Sequence, residues 1–178
     1  VDPLYQQCYP VPTWGKNFGV VPFANNPNGY HLRVLAAENN TAVTINGASV
    51  NLNEGEHYPP TNATPTPYTG PSIISSDKPV TVAQYMTSTG LQISRYNPVG
   101  GFGGDQGDPD MVIINPVEQN IDDISIFSSN LEAIKAKFLS VYMKTAQAPS
   151  FRINNALPAG SFVPVPANPG FSYLVENL

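Results

Sequence analysis

Thr41-Ala-Val-Thr-Ile45-Asn46-Gly47-Ala48-Ser-Val-Asn-Leu52 decides the fold class. An Asn-Gly pair between two alternating runs predicts a two-residue type I′ hairpin, because that turn needs positive φ at both central positions. Working outward, His31–Ala36 alternates, with Leu32, Val34 and Ala36 on one face. Before it, Phe18-Gly-Val-Val-Pro22 is a short apolar run stopped by a proline. After the hairpin, residues 59–71 carry too many prolines to donate to a ladder and are expected as an exposed loop. Ser72–Ser75 and Val80–Met86 are expected as two strands about Asp77-Lys-Pro79, and Leu91–Arg95 as another. Gly100–Gly107 is a glycine-rich connection. Beyond it, Met111–Asn115, Ile124–Phe127, Phe138–Lys144 and Ser150–Ile153 continue the strand pattern. Only Ser129–Lys137 is patterned as a helix, with a Ser cap and a Leu131, Ile134, Phe138 stripe.

Composition agrees with a β-protein displayed outside the cell. The 178 residues are 41% hydrophobic, enough for a core, yet only 12% charged against the usual ~25%. Polarity comes from Asn, Thr, Ser and Gln, which suit turns and sheet faces better than helices. Eight Lys and Arg, unclustered, and a net charge of −5 leave no phosphate-neutralising patch. Nucleic acid and anionic membranes are therefore excluded as expected partners. No apolar run approaches the ~18 residues that span a bilayer, so membrane insertion is not expected. Val1-Asp-Pro lacks the basic and apolar regions of a signal peptide, so an exported protein would be represented by a mature or trimmed form. The single cysteine, Cys8, cannot form an internal bridge and is expected as a buried or half-buried small side chain.

The two halves of the chain echo one another. Val20-Val21-Pro22 matches Ile113-Ile114-Asn115-Pro116, Leu32-Arg-Val34 matches Leu139-Ser-Val141, and Thr44-Ile-Asn-Gly47 matches Arg152-Ile-Asn-Asn155. Gly55 and Gly160 follow at corresponding places. This predicts a duplicated β-unit, with lobes at 1–100 and 101–178 forming one compact body. The first unit continues into Ser72–Tyr85, whereas the second stops near Phe171–Val175 and Leu178, where its counterpart should begin. The second lobe is thus expected to lack closing strands and to present an edge for β-augmentation, either by sequence beyond these 178 residues or by another chain. The competing expectation is a lobe that closes with fewer strands.

Trp14-Gly-Lys, Val20-Val-Pro, Asn40-Thr-Ala-Val-Thr-Ile-Asn-Gly47, Gly55-Glu-His-Tyr58, Ser76-Asp-Lys-Pro-Val80 with Ala83-Gln-Tyr85, and Gly107-Asp-Pro-Asp-Met111 occur in this order. Together, from about residue 10 to the end, they resemble the N-terminal domain family of IgG-Fc-binding protein, which recurs in bacterial adhesin-like surface proteins. The resemblance implies an extracellular binding or adhesion role, without implying antibody binding, and brings no family-defined binding residues. The low cysteine count favours the bacterial branch.

Residues that carry chemistry are sparse. His31 lies opposite the apolar face of its strand, and His57 sits in a Gly-Glu-His-Tyr turn; neither occurs in a nucleophile-elbow or zinc-helix pattern, so structural roles are expected for both. Glu38, Glu54 and Glu56 adjoin turns, where solvated acids are common. Asp105, Asp108 and Asp110 are the candidate metal ligands, since carboxylates and backbone carbonyls on a flexible loop suit Ca²⁺. The competing reading is an Asx-type turn at Asp108 before the Met111 strand. Gly107-Asp-Pro-Asp110 resembles the self-cleaving Gly-Asp-Pro-His sequence of mucin-type proteins, but Asp110 replaces the histidine and self-cleavage is not expected. Trp14 is expected to anchor a core rather than to stack on a ligand; Tyr5, Tyr9 and Tyr68 are the surface candidates. Asn39-Asn-Thr41 and Asn62-Ala-Thr64 fit the N-glycan acceptor pattern.

The expectation is an all-β protein of two duplicated, antiparallel, sandwich-like lobes, secreted or at the cell surface and not an enzyme. Its expected role is adhesion or protein interaction. The alternatives are a structural subunit of an extracellular filament or layer joined by strand exchange, and a carbohydrate-binding domain. Partners are a protein or glycan on a surface, or a neighbouring subunit. No cofactor beyond the candidate Ca²⁺ is expected.

Overall fold

A computed structural model of the chain describes residues 6–61, 63, 65–87, 110–127 and 137–178. It is all-β: β1 (Gly15–Val20), β2 (Tyr30–Ala36), β3 (Thr41–Ile45), β4 (Ala48–Leu52), β5 (His57–Tyr58), β6 (Ser72–Met86), β7 (Met111–Ile114), β8 (Phe138–Lys144), β9 (Val163–Val165) and β10 (Asn168–Asn177). Every pairing is antiparallel, giving one seven-stranded sheet, nearly a barrel, and one three-stranded sheet.

The large sheet is organised by β6. Its first half lies between β3 and β1, with Ser75 opposite both Thr44 and Asn17. Its second half lies between β2 and β7, with Val82 opposite both Val34 and Ile114. The changeover falls at Asp77-Lys78-Pro79, so the two strands expected there are one continuous 15-residue strand that turns a corner. A strand changing neighbours at a bend is how a sheet folds back over its own interior. The corner is held by side chains: Asp77 Oδ1 accepts from the Ala42 amide at 2.8 Å, and Ser76 Oγ donates to the Lys78 carbonyl at 2.7 Å. Pro79, which has no N–H, contributes its carbonyl to the Ala37 amide at 3.1 Å. β1 follows the corner through a bulge between Gly15 and Asn17.

Alternation fills the interior as the sequence predicts. Tyr30, Leu32, Val34 and Ala36 of β2 point inward and are buried, and meet Phe18, Val20, Val43, Ile45, Leu52, Ile74, Val80 and Val82 in one cluster. Burying each such aliphatic or aromatic side chain stabilises by roughly 1.5–3 kcal/mol. Tyr30 is wholly buried, so its hydroxyl needs partners. It donates to the Gly70 carbonyl at 2.8 Å and lies 2.7 Å from the Ser72 hydroxyl, which accepts from the Asn46 side-chain amide at 3.1 Å. The hairpin turn is thereby tied to the core.

That turn is the predicted one: Ile45 pairs with Ala48, and Asn46 and Gly47 have φ of 49° and 88°. The second half repeats it. Ile153 pairs with Ala156 around Asn154 and Asn155, at φ 49° and 65°. β8 then pairs with β10 as β2 pairs with the second half of β6. The two halves thus share a turn geometry and one strand pairing.

Other expectations need correction. Met111–Ile114 belongs to the large sheet, beside β6, while the small sheet takes all its strands from residues 138–177. Ile124–Phe127 forms no strand, and of Ser150–Ile153 only Ile153 is bridged, to Ala156, while Ser150 closes a 3₁₀ turn over Thr145–Ser150. Both sequences are β-like, but propensity alone supplies no ladder partner. Short 3₁₀ turns over Val11–Thr13 and Val117–Gln119 carried no clear signal. Leu91–Arg95, Gly100–Gly107 and residues 129–136 of the expected helix lie outside the described residues.

Candidate interaction surface

The small sheet, in the order β8-β10-β9, has two dissimilar faces. One carries Leu139, Val141 and Met143 opposite Glu176, Leu174 and Ser172, under the 145–162 segment. Here the buried Glu176 carboxylate accepts from the Ala159 and Gly160 amides, both at 2.8 Å, leaving it paired. The other face turns Tyr142 onto the large sheet. The Tyr142 ring stacks on Phe171, with centroids 5.0 Å apart and planes 10° apart, and packs against Gly19 of β1. Burial raises the Tyr142 pKa above its usual value.

Between the sheets runs an open groove of about 430 Å³, lined by Asn17, Glu118, Asp122, Tyr142, Lys144 and Phe171 among others. Its polar rim is partly spent on itself, since Asn17 Nδ2 donates to Glu118 Oε1 at 2.6 Å.

Sheet edges are the more distinctive feature, because an unpaired edge is a template for another strand. Most edges here are blunted. β9 contains Pro164, and β5 is two residues long and runs into Pro59. Ile113 of β7 donates its amide to Gln6 Oε1 at 3.2 Å. β1 is flanked by the 117–119 turn, with Pro116 against Gly15. β4 exposes Ser49 and Asn51. β8 differs: it is seven residues long, charged only at Lys144, and among the described residues bonded by β10 alone. Phe138 at its start is 40% exposed.

A second apolar feature adjoins it. Residues 121–127, Ile-Asp-Asp-Ile-Ser-Ile-Phe, belong to no strand; Ile121 and Ile124 are each 65% exposed, Ile126 54% and Phe127 92%.

The residues singled out by sequence are scattered. Asp105 and Asp108 lie outside the described residues. Asp110 accepts the Met111 amide on Oδ1 at 2.7 Å and the Met86 amide on its carbonyl at 2.8 Å, which start the β6–β7 ladder. Among the described residues no three His, Cys, Asp or Glu side chains gather as metal ligands. His57 Nδ1 donates to the Pro59 carbonyl at 2.7 Å; the Arg33 guanidinium, 3.1 Å from that protonated nitrogen, therefore makes no hydrogen bond to it. His31 pairs with Tyr85 in the ladder, its Nδ1 buried without a partner among the described residues. Cys8 is exposed, correcting the expected burial, because it precedes the 11–13 turn in a segment with no apolar cover. Trp14 is half-buried outside the core cluster, and its indole N–H donates to the Tyr9 carbonyl at 2.8 Å. It pins the N-terminal segment and is not the core anchor that its Trp-Gly context predicts. Tyr9 is exposed, Tyr5 lies outside the described residues, and Tyr68 packs on Tyr30 with centroids 5.8 Å apart. Tyr68 is thus a lid on the core, not a surface aromatic. Sequence reasoning missed the groove and the Gly19–Tyr142 contact, whose only trace is an unremarkable glycine in a strand.

Fold and surface together define a class: an all-β module distinguished by its sheet edges and the groove where two sheets meet. The whole chain, residues 1–178, matches the family described as IgGFc binding protein, and it belongs to that family. This is a family of binding domains, not of enzymes, and its domains are typically extracellular. No curated protein and no solved structure matches the chain. No helix among the described residues is long and apolar enough to cross a membrane.

Proposed function

We propose that the chain is an adhesion or protein-interaction module of a secreted or cell-surface protein, of the bacterial adhesin-like kind, acting by binding and not by catalysis. The observation that carries this reading is the β8 edge, long, apolar and bonded on one side only among the described residues. An extended segment of a partner can add there, its backbone supplying affinity and alternate side chains supplying selectivity. The same edge favours a second reading, a structural subunit of a filament or layer joined by strand exchange. A carbohydrate-binding role draws on the groove, but one face of the Tyr142 ring is committed to Gly19, which leaves less aromatic platform for a sugar. Calcium binding by Asp105, Asp108 and Asp110 remains a separate proposal; titration with millimolar Ca²⁺ giving neither heat nor a melting shift removes it.

The test is parallel probing of a surface-protein array and a glycan array with the labelled chain. The expected result is saturable binding to protein, weakened by Phe138→Lys at the β8 edge, with blank glycan spots. Glycan binding with no protein bound would overturn the reading.

A further inference from the structure

We propose that the β8 edge is completed by residues 121–127 of a second copy of this chain. The inference rests on the reading of β8 as the binding edge and names what occupies it.

Among the described residues there is a strand-like segment without a sheet and a sheet edge without a neighbouring strand. Residues 121–127 have strand-forming composition and stand in no ladder, with four large apolar side chains more than half exposed. β8 offers an edge of the same length, seven residues. One antiparallel register pairs like with like over four positions, setting Phe127 opposite Phe138, Ile126 opposite Leu139, Ser125 opposite Ser140, and Ile124 opposite Val141, while Asp122 and Ile121 at the far end fall opposite Met143 and Lys144. Residues directly opposite share a face and interact most strongly, and aromatic, aliphatic and hydroxyl pairs of this kind stabilise a ladder. Ile124 and Ile126 would then extend the apolar face formed by Leu139, Val141 and Leu174. Phe127 would cover Phe138, which β10 leaves 40% exposed. In the same register Asp123 faces Tyr142 and lies diagonal to Lys144, the one charge on β8, which brings opposite charges near one another at that end. A slip of one residue would turn Ile124 and Ile126 to the face that carries Tyr142, so the register is specified.

The donor comes from another copy because within one chain, among the described residues, 121–127 forms no ladder with β8. Asp122 reaches the groove beside Lys144, which places the donor at the rim of the edge it would fill in its neighbour. Other edges are poorer acceptors: β4 has five residues and exposes polar Ser49 and Asn51, β9 lacks an N–H at Pro164, β5 is too short, and the edges of β7 and β1 meet Gln6 and the 117–119 turn. Reciprocal exchange closes a dimer, and one-way exchange propagates a chain of subunits.

The test uses the full chain with Cys8→Ser. Two singly substituted proteins, Ser125→Cys and Ser140→Cys, both at exposed positions, are mixed in equal amounts under mild oxidation. The disulfide-linked products are resolved without reductant, one protein carrying a mass tag. The mixed dimer should form at least tenfold faster than either homodimer, and Ile124→Pro with Ile126→Pro on the donor should abolish that preference. Both isoleucines are exposed and outside strands, so these variants should keep the wild-type melting temperature. A mixed dimer no faster than the homodimers overturns the proposal, as does internal closure of the Ser125→Cys/Ser140→Cys double variant without dimer. Sedimentation of the wild type separates the two levels: self-association without the mixed disulfide rejects this donor and leaves the β8 reading standing. A monomer at every concentration, together with loss of the protein binding described above, rejects both.

Discussion

The Tyr142 ring lies face-on against Gly19, so close that a Cβ built on Gly19 would sit 2.2–2.3 Å from three ring atoms. This contact joins the small sheet to the large one, and it exists because β1 has no side chain at that position. Gly19→Ala therefore drives Tyr142 off its seat or displaces β8. The expected cost is about 1–3 kcal/mol by urea unfolding, the usual range for overpacking. Tyr142→Ala should cost at least as much and, combined with Gly19→Ala, should add little further, since both remove the same contact. Additive losses would contradict the assignment.

Tyr30 predicts the alkaline behaviour. Burial, partly offset by the Ser72 hydrogen bond, pushes its pKa up to about 12 from 10.0. Tyr68 is raised as well, by burial first and then by its hydrogen bond to Tyr58 and the charges of Tyr58 and Tyr30. The folded state thus keeps its phenol protons where the unfolded chain has lost them. The stability contributed is fully present below pH 10 and is lost as pH rises through about 12. For Tyr30 alone the loss is roughly 2–3 kcal/mol. Unfolding measured between pH 8 and 11.5 should show the decline beginning near pH 10. Tyr30→Phe should be less stable by about 1 kcal/mol at pH 8 and show a shallower decline.

Asn154 and Asn155 predict a different response in the second hairpin. Both have positive φ, with Asn155 at 65°, the position that glycine occupies in the first turn. Asn155→Gly should be neutral or slightly stabilising, whereas Asn155→Val should cost about 1–2 kcal/mol, because a β-branched residue resists left-handed backbone. Thermal melts of the two variants decide it. Equal melting temperatures would mean that the turn does not hold this geometry.

How much of this was legible in the sequence follows from where periodicity is decisive. The Asn46-Gly47 hairpin, the inward face of β2 and the bounds of β8 were readable because alternation and turn chemistry are local. The continuity of β6 was not, because Pro79 reads as a break; at the corner the strand changes neighbours, and its missing N–H does no harm. Ile124–Phe127 has the composition of a strand, but whether a partner lies alongside is a property of the whole chain. The asymmetry between the repeats pointed to a free edge after Phe171–Val175, whereas β10 there is the central strand of the small sheet, and among the described residues β8 is the edge bonded on one side only. The groove, the exposure of Cys8 and the anchoring of Trp14 depend on packing that no local pattern encodes.

Hydrogen exchange across a concentration series tests the central claim most directly. The account predicts slow, concentration-independent exchange along β6, which is bonded on both sides. It also predicts that β8 and residues 121–127 exchange quickly when dilute and gain protection together as concentration rises. Protection of β8 that does not change with concentration, or β6 amides exchanging as fast as those of β8, would contradict it.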